Sequence, residues 1–161
     1  MYSKILYPTD FSDCAAKALG AILRLKEAGV REIIILHVVD IRQCEMAFIG
    51  TAWVKGPPDE YLKSLKEELS TIAGSEAEEV RQEIEKAGMK ARIKIVPGVP
   101  FQEILKTADE EDVNLIVMGS HGKSNVIEML LGSVSEKVIR KARQHVLVIK
   151  RDNGDKEKGN P

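Results

Sequence analysis

Five short apolar runs alternate along the chain with longer segments in which apolar residues recur every three or four positions. The runs occupy residues 5–9, 32–39, 91–96, 114–119 and 145–150, and each has the length of a β-strand. Inside three of them, Ile33-Ile34-Ile35-Leu36, Leu115-Ile116-Val117-Met118 and Val146-Leu147-Val148-Ile149, no polar residue intervenes. Such continuity predicts strands covered on both faces, as in a parallel sheet sandwiched between helices.

The intervening segments read as helices. Residues 13–28 carry Ala15, Leu19, Ile22 and Leu23 on one stripe, and Gly29 follows as a stop. Residues 100–111 set Phe101, Ile104, Leu105 and Ala108 at helical spacing behind Pro100, a residue suited to a first turn. The longest, 59–86, keeps Leu62, Leu65, Leu69, Ile72, Val80 and Ile84 in register, with Gly74-Ser75 as a point where it can kink. A last helix is predicted over 133–142, burying Val138, Ile139 and Ala142. Strict alternation of strand and helix predicts an α/β fold: an open five-stranded parallel sheet, helices on both faces, right-handed crossovers.

Two segments fall outside this plan. Residues 41–58 exceed the usual connection of about 2–6 residues and hold Met46, Phe48, Ile49, Trp53 and Val54, which is too apolar for a solvated linker. A lid, a partner contact and a loop folded over its own core all fit. The polar tail, residues 152–161, is predicted to be disordered, leaving residues 1–151 as one domain, as a chain of 161 residues suggests.

Charge and cysteines narrow the classes. Lys and Arg number 24 against 25 Asp and Glu, a net charge of −1, so no basic footprint for nucleic acid exists. Cys14 and Cys44 form no CxxC or Cys/His pattern and are expected to be reduced thiols. Cys14 falls in a first helical turn, where a dipole lowers a thiol pKa, but a packing role is the simpler reading. No run approaches the ~20 apolar residues that cross a bilayer, and no signal-peptide pattern opens the chain. A cytoplasmic protein without a membrane partner is expected.

In an open parallel sheet, ligands bind beyond the carboxyl ends of the strands where strand order reverses. After the fourth strand the chain reads Met118-Gly119-Ser120-His121-Gly122-Lys123-Ser124-Asn125, and Gly132-Ser133-Val134-Ser135 opens the last helix. A phosphate chain needs several converging N–H donors, and glycine permits close approach without a Cβ. A helix start adds unbonded amides and the positive end of its dipole. The alternative is a pair of ordinary turns with Ser133 as a helix cap. His121 could move protons, yet no second acid or base at a diagnostic spacing completes a hydrolytic set. Lys123 could neutralise phosphate, and His37 and His145 are expected to be structural.

The spacing G-x2-G-x9-G-S after Met118, together with the opening Ile5-Leu6-Tyr7-Pro8-Thr9-Asp10-Phe11-Ser12, resembles the ATP-binding branch of the universal stress protein family. The resemblance spans residues 1–151 and includes Leu36-His37-Val38, a Val96-Pro97-Gly98 turn and the closing Val146–Lys150 strand. It implies a Rossmann-like sheet of the adenine nucleotide alpha hydrolase kind with strand order 3-2-1-4-5. It implies Asp10 beside the nucleoside, with Pro8 and Thr9 shaping the turn, although Asp10 could instead cap the next helix. The backbone of Val38 would meet adenine. Gly119 and Gly122 would lie along ribose and the inner phosphates and Gly132, Ser133, Val134 and Ser135 would hold the outer ones, with Met118 and His121 also among the nucleotide-binding residues. The cofactor implied is ATP with Mg²⁺ or Mn²⁺ held through the phosphates, and the partner a second copy paired through residues 145–150.

A nucleotide-dependent switch in stress response, with at most slow hydrolysis, is the function implied. An ATP-hydrolysing or nucleotidyl-transfer enzyme on the same fold is the first alternative, and the GxxxxGK[ST] loop it would commonly use is absent. An SGG-type pyrophosphatase loop is also absent. A receiver would need an acidic acceptor where Val96-Pro97-Gly98 stands, and a flavodoxin a phosphate loop where Pro8-Thr9-Asp10 stands. An interaction scaffold without nucleotide is the last alternative, and the intact glycines oppose it.

Overall fold

A computed structural model of the chain describes residues 2–43, 46, 58–122 and 131–150. Its elements are β1 (Lys4–Pro8), α1 (Asp13–Arg24), β2 (Glu32–Asp40), α2 (Pro58–Lys86), β3 (Lys90–Gly98), α3 (Pro100–Glu110), β4 (Leu115–Gly119), α4 (Ser133–Lys141) and β5 (His145–Ile149). The five strands form one parallel sheet in the order β3-β2-β1-β4-β5, the expected fold class and order.

Alternation along the central strands sends successive side chains to two separate cores. Ile5, Tyr7, Ile33, Ile35, Leu115 and Val117 pack with Leu19 and Ile22 of α1 and Ala77 and Ile84 of α2. Leu6, Ile34, Leu36, Ile116 and Met118 pack with Ile104 and Ala108 of α3 and Val138 of α4. Two helices therefore cover each face, and every residue of β4 is buried, as an uninterrupted apolar strand requires. The Tyr7 hydroxyl donates to the Ala15 carbonyl at 2.6 Å and locks α1 to β1. Burial pushes its pKa up to about 12.

Several boundaries differ from expectation. α1 ends at Arg24, and residues 25–29 close in tight turns, with Leu25 N–H donating to Ile22 O and Gly29 N–H to Lys26 O. Gly29, at φ 97°, turns the chain so that Val30 is fully buried, a left-handed role that favours glycine. Val96-Pro97-Gly98 is not a turn: β3 continues to Gly98, pairing Val39 with Pro97 and Asp40 with Gly98. An edge strand tolerates a proline because one side of its backbone needs no ladder donor. α2 runs as one helix through Gly74 and Ser75.

The apolar run of β5 is the other correction. It is an edge strand and is not covered on both faces, since Leu147 is 37% exposed and the rest of the run is only half-buried. Among the described residues no helix is long and apolar enough to cross a membrane. The apolar residues Phe48, Ile49, Trp53 and Val54, Lys123 and the tail 152–161 lie outside the described residues.

Candidate functional site

The sheet opens where strand order reverses. β1 matches β2 over five register pairs, but it matches β4 at only Ile5↔Leu115 and Leu6↔Ile116. β1 leads by α1 to β2 on one side, while β3 leads by α3 to β4 on the other, so the carboxyl ends of β1 and β4 border the crevice. Residues 9–11 leave one lip and residues 119–122 the other.

On the first lip, Pro8 ends β1 opposite Leu36, and the buried Thr9 donates its N–H to Leu36 O at 2.9 Å as a last rung. The turn then closes on its own side chains. Phe11 N–H donates to Thr9 Oγ1 at 3.0 Å, and Ser12 N–H donates to Asp10 Oδ1 at 3.1 Å. Ser12 is the N-cap of α1, its hydroxyl accepting from Ala15 N–H at 3.3 Å. Asp10 is thus not the helix cap. Its carboxylate faces the opposite lip, where a Cβ added to Gly122 would stand 2.7 Å from Asp10 Oδ2.

Phe11 has φ 60°, a left-handed conformation that costs a bulky residue on the order of 1–3 kcal/mol. Its ring stacks on His37, with centroids 4.9 Å apart and planes 23° apart. His37 Nδ1 lies 2.9 Å from Thr9 O. That carbonyl only accepts, so Nδ1 carries the proton and the neutral ring is the Nδ1–H tautomer.

Val38 sits two residues beyond Leu36, whose peptide groups face β1. In a parallel ladder the residue two positions on faces the same way, so Val38 directs its N–H and C=O toward the side that β1 has left. Its side chain packs on the core under α3 and α4. Any residue type could present that backbone.

The second lip is organised by a residue that the sequence reading passed over. Ser120 is 1% exposed. Its N–H donates to Ile149 O at 2.8 Å, and its carbonyl accepts from Gly132 N–H at 2.7 Å and from the Ser135 hydroxyl at 3.1 Å. Its hydroxyl lies 2.9 Å from His121 Nδ1 and 3.7 Å from Cys14 Sγ. The only trace in the sequence was a small hydroxyl residue directly after a strand-end glycine. Met118 is a core side chain, so only its backbone is available to a ligand.

Gly119 serves packing. A Cβ there would stand 2.9 Å from Cys14 Sγ and 3.0 Å from the Cys14 carbonyl carbon, so α1 can rest on β4 only over a glycine. Cys14 itself is buried, with Sγ 3.4 Å from Ile149 O, in the packing role.

At α4 the N-cap is Gly132, not Ser133, at φ −69° and ψ 154° with no side-chain cap bond. The amides of Ser133, Val134 and Ser135 occupy the first turn, where an α-helix offers them no acceptor. Ser135 turns its hydroxyl inward, donating to Gly119 O at 3.0 Å as well as to Ser120 O. The donors left for an anion are therefore three amides, the positive helix end and the exposed Ser133 hydroxyl. Thus Thr9, Asp10, Gly119, His121, Gly122 and Gly132–Ser135 gather at one crevice, with Val38 beside it.

Known proteins share this arrangement of elements. The profile of the universal stress protein family matches residues 1–150. Universal stress protein MJ0577 of Methanocaldococcus jannaschii is 43% identical over 158 residues, covering 95% of this chain and 98% of that protein. A solved structure of MJ0577 superposes with TM-score 0.84 over 95% of this chain and 99% of the other. A universal stress protein from Archaeoglobus fulgidus, solved in complex with dAMP, is 26% identical with TM-score 0.55, over 92% and 98% of the two chains. The family match over residues 1–150, the identity to its members and the shared fold agree, and the chain belongs to the universal stress protein family.

Proposed function

We propose that the protein binds ATP at the carboxyl edge of the sheet and acts as a nucleotide-dependent switch, turning ATP over slowly or not at all. The observation that carries the reading is the hydrogen bond from Gly132 N–H to Ser120 O at 2.7 Å. Through it, the amide-rich start of α4 borders the same lip as Gly119 and Gly122, across from Asp10. The backbone of Val38 suits adenine, the Asp10 carboxylate suits nucleoside hydroxyls, and the amides of Ser133, Val134 and Ser135 suit phosphate oxygens. The dAMP bound by the Archaeoglobus fulgidus relative supports an adenine nucleotide.

Among the described residues no three His, Cys, Asp or Glu side chains converge on one point. A Mg²⁺ or Mn²⁺ ion would on this reading be held chiefly by the phosphates, with Asp10 the nearest carboxylate of the lips. His121, anchored to Ser120, is a further polar contact. Calorimetry with ATP, FMN and NAD tests the reading: ATP should bind tightest, and turnover should stay below roughly 1 per second, the low end of ordinary enzymes. Tighter binding of FMN or NAD overturns the ligand; faster turnover overturns the switch. We further propose pairing of two copies through β5, supported by its partly exposed apolar edge.

A further inference from the structure

We infer that the stacked pair Phe11–His37 is a positioning device for the nucleoside end of the crevice, acting through Asp10. This rests on the proposal that the crevice binds an adenine nucleotide. Phe11 is one of two described non-glycine residues at positive φ, the other being Asp112 in the turn that precedes β4, at the amino end of the sheet. A bulky aromatic residue keeps such a backbone only where its surroundings over-determine it. Here they do so from two directions. The Phe11 ring lies on His37 at 4.9 Å, and His37 Nδ1–H holds the Thr9 carbonyl at 2.9 Å. The same turn is closed by Phe11 N–H on Thr9 Oγ1 and by Ser12 N–H on Asp10 Oδ1.

The left-handed step at Phe11 lets the chain pass from Thr9, the last rung of β1, to the N-cap Ser12 within three residues, and it aims Asp10 across the crevice. With a relaxed backbone at residue 11, Ser12 N–H and Asp10 Oδ1 would separate and the carboxylate would lose its place against Gly122. His37 is thus a brace: one ring face supports the strained residue, and one nitrogen supports the residue before Asp10. Neither ring need touch the nucleotide. A glycine at residue 11 reaches the same φ without strain but reaches many other conformations as easily, so with the ring gone nothing holds the turn in this one, while the fold is spared.

The test compares Phe11→Gly, Phe11→Tyr and His37→Ala with the parent, by amide hydrogen exchange without nucleotide and by calorimetry with ATP and with adenosine. Phe11→Gly and His37→Ala should speed exchange at the Phe11 and Ser12 amides by at least about tenfold, while core amides keep their protection. Both should weaken ATP and adenosine by a similar factor, about tenfold, because the loss is at the nucleoside end. Phe11→Tyr, which keeps the stack, should behave as the parent. Unchanged exchange at Phe11 and Ser12, or loss of ATP affinity with adenosine unaffected, overturns the inference. Faster exchange in a protein whose parent binds neither compound would instead overturn the nucleotide reading and leave the brace as a feature of the turn.

Discussion

Gly132 N–H donates to the Ser120 carbonyl at 2.7 Å, so the first residue before α4 is fastened directly to the residue after β4. This bond determines what a side chain at residue 132 would do. The backbone there is ordinary, at φ −69°, so no conformational reason demands glycine. The reason is space: an added Cβ would lie 3.2 Å from Ser120 O, a backbone atom that cannot swing aside, and in contact with His121 Cα at 3.4 Å.

Gly132→Val should consequently push the start of α4 away from residues 120–121, within the second lip. ATP affinity is expected to fall at least about tenfold, ~1.4 kcal/mol, with adenosine affected less because the phosphate end moves. Ser133→Ala should lose about 1 kcal/mol, one exposed hydroxyl while the helix amides stay. Titrations of both ligands into each variant, with circular dichroism as a check on folding, decide the matter. A folded Gly132→Val that binds ATP like the parent removes phosphate from this corner.

Ser135→Ala should act on stability before it acts on binding. Its hydroxyl is buried and shares its one proton between Gly119 O and Ser120 O; its loss takes that donor from Gly119 O, while Ser120 O keeps Gly132 N–H, at about 1–3 kcal/mol. For a chain of this size that is a fall of several degrees in Tm. Thermal melts with and without ATP separate the effects. An unchanged Tm with lost affinity would mean that the hydroxyl serves the ligand instead.

At the opposite edge of the sheet, Glu111 accepts from Arg92 at 2.7 Å and Lys4 at 3.2 Å. The Arg92 guanidinium first, then the Lys4 ammonium, hold its carboxyl at about 2, below the ordinary 4.5. A depressed carboxylate contributes stability that is full above 4.5 and fades as pH falls toward 2. Glu111→Gln should therefore melt below the parent at neutral pH, and the gap should close through that acid window. Melts across the range check this; a gap constant down to the acid end would assign the effect to packing.

β5 is expected to pair with a second copy, because an apolar edge otherwise invites uncontrolled association. Leu147, 37% exposed, is the cleaner probe than Val148, which packs on the core of its own chain. Leu147→Lys should shift the species seen by light scattering at micromolar concentration toward monomer. A parent that is already monomeric there would rule the pairing out.

How much of this was legible along the chain depends on the range over which each feature is determined. Strand positions, four helices, the parallel class and the grouping of glycines with a helix start all come from local pattern: apolar runs of strand length, periodicity in the helices, and Gly-Ser placed at the end of one element and the start of another. The continuous apolar run of β5 predicts a strand covered on both faces, yet it lies at an edge with Leu147 exposed, because continuity along the sequence does not say whether a strand is central. Contacts between distant residues were not legible in the same way. Ser120 meets Cys14 across 106 positions, Gly119 is glycine because of Cys14, Ser135 turns inward to Gly119, and Phe11 holds a left-handed backbone against His37. Periodicity records which face of an element is buried, because that repeats within a few residues. It does not record which atom lies opposite, because that is decided only when crossovers bring separate elements within hydrogen-bond distance.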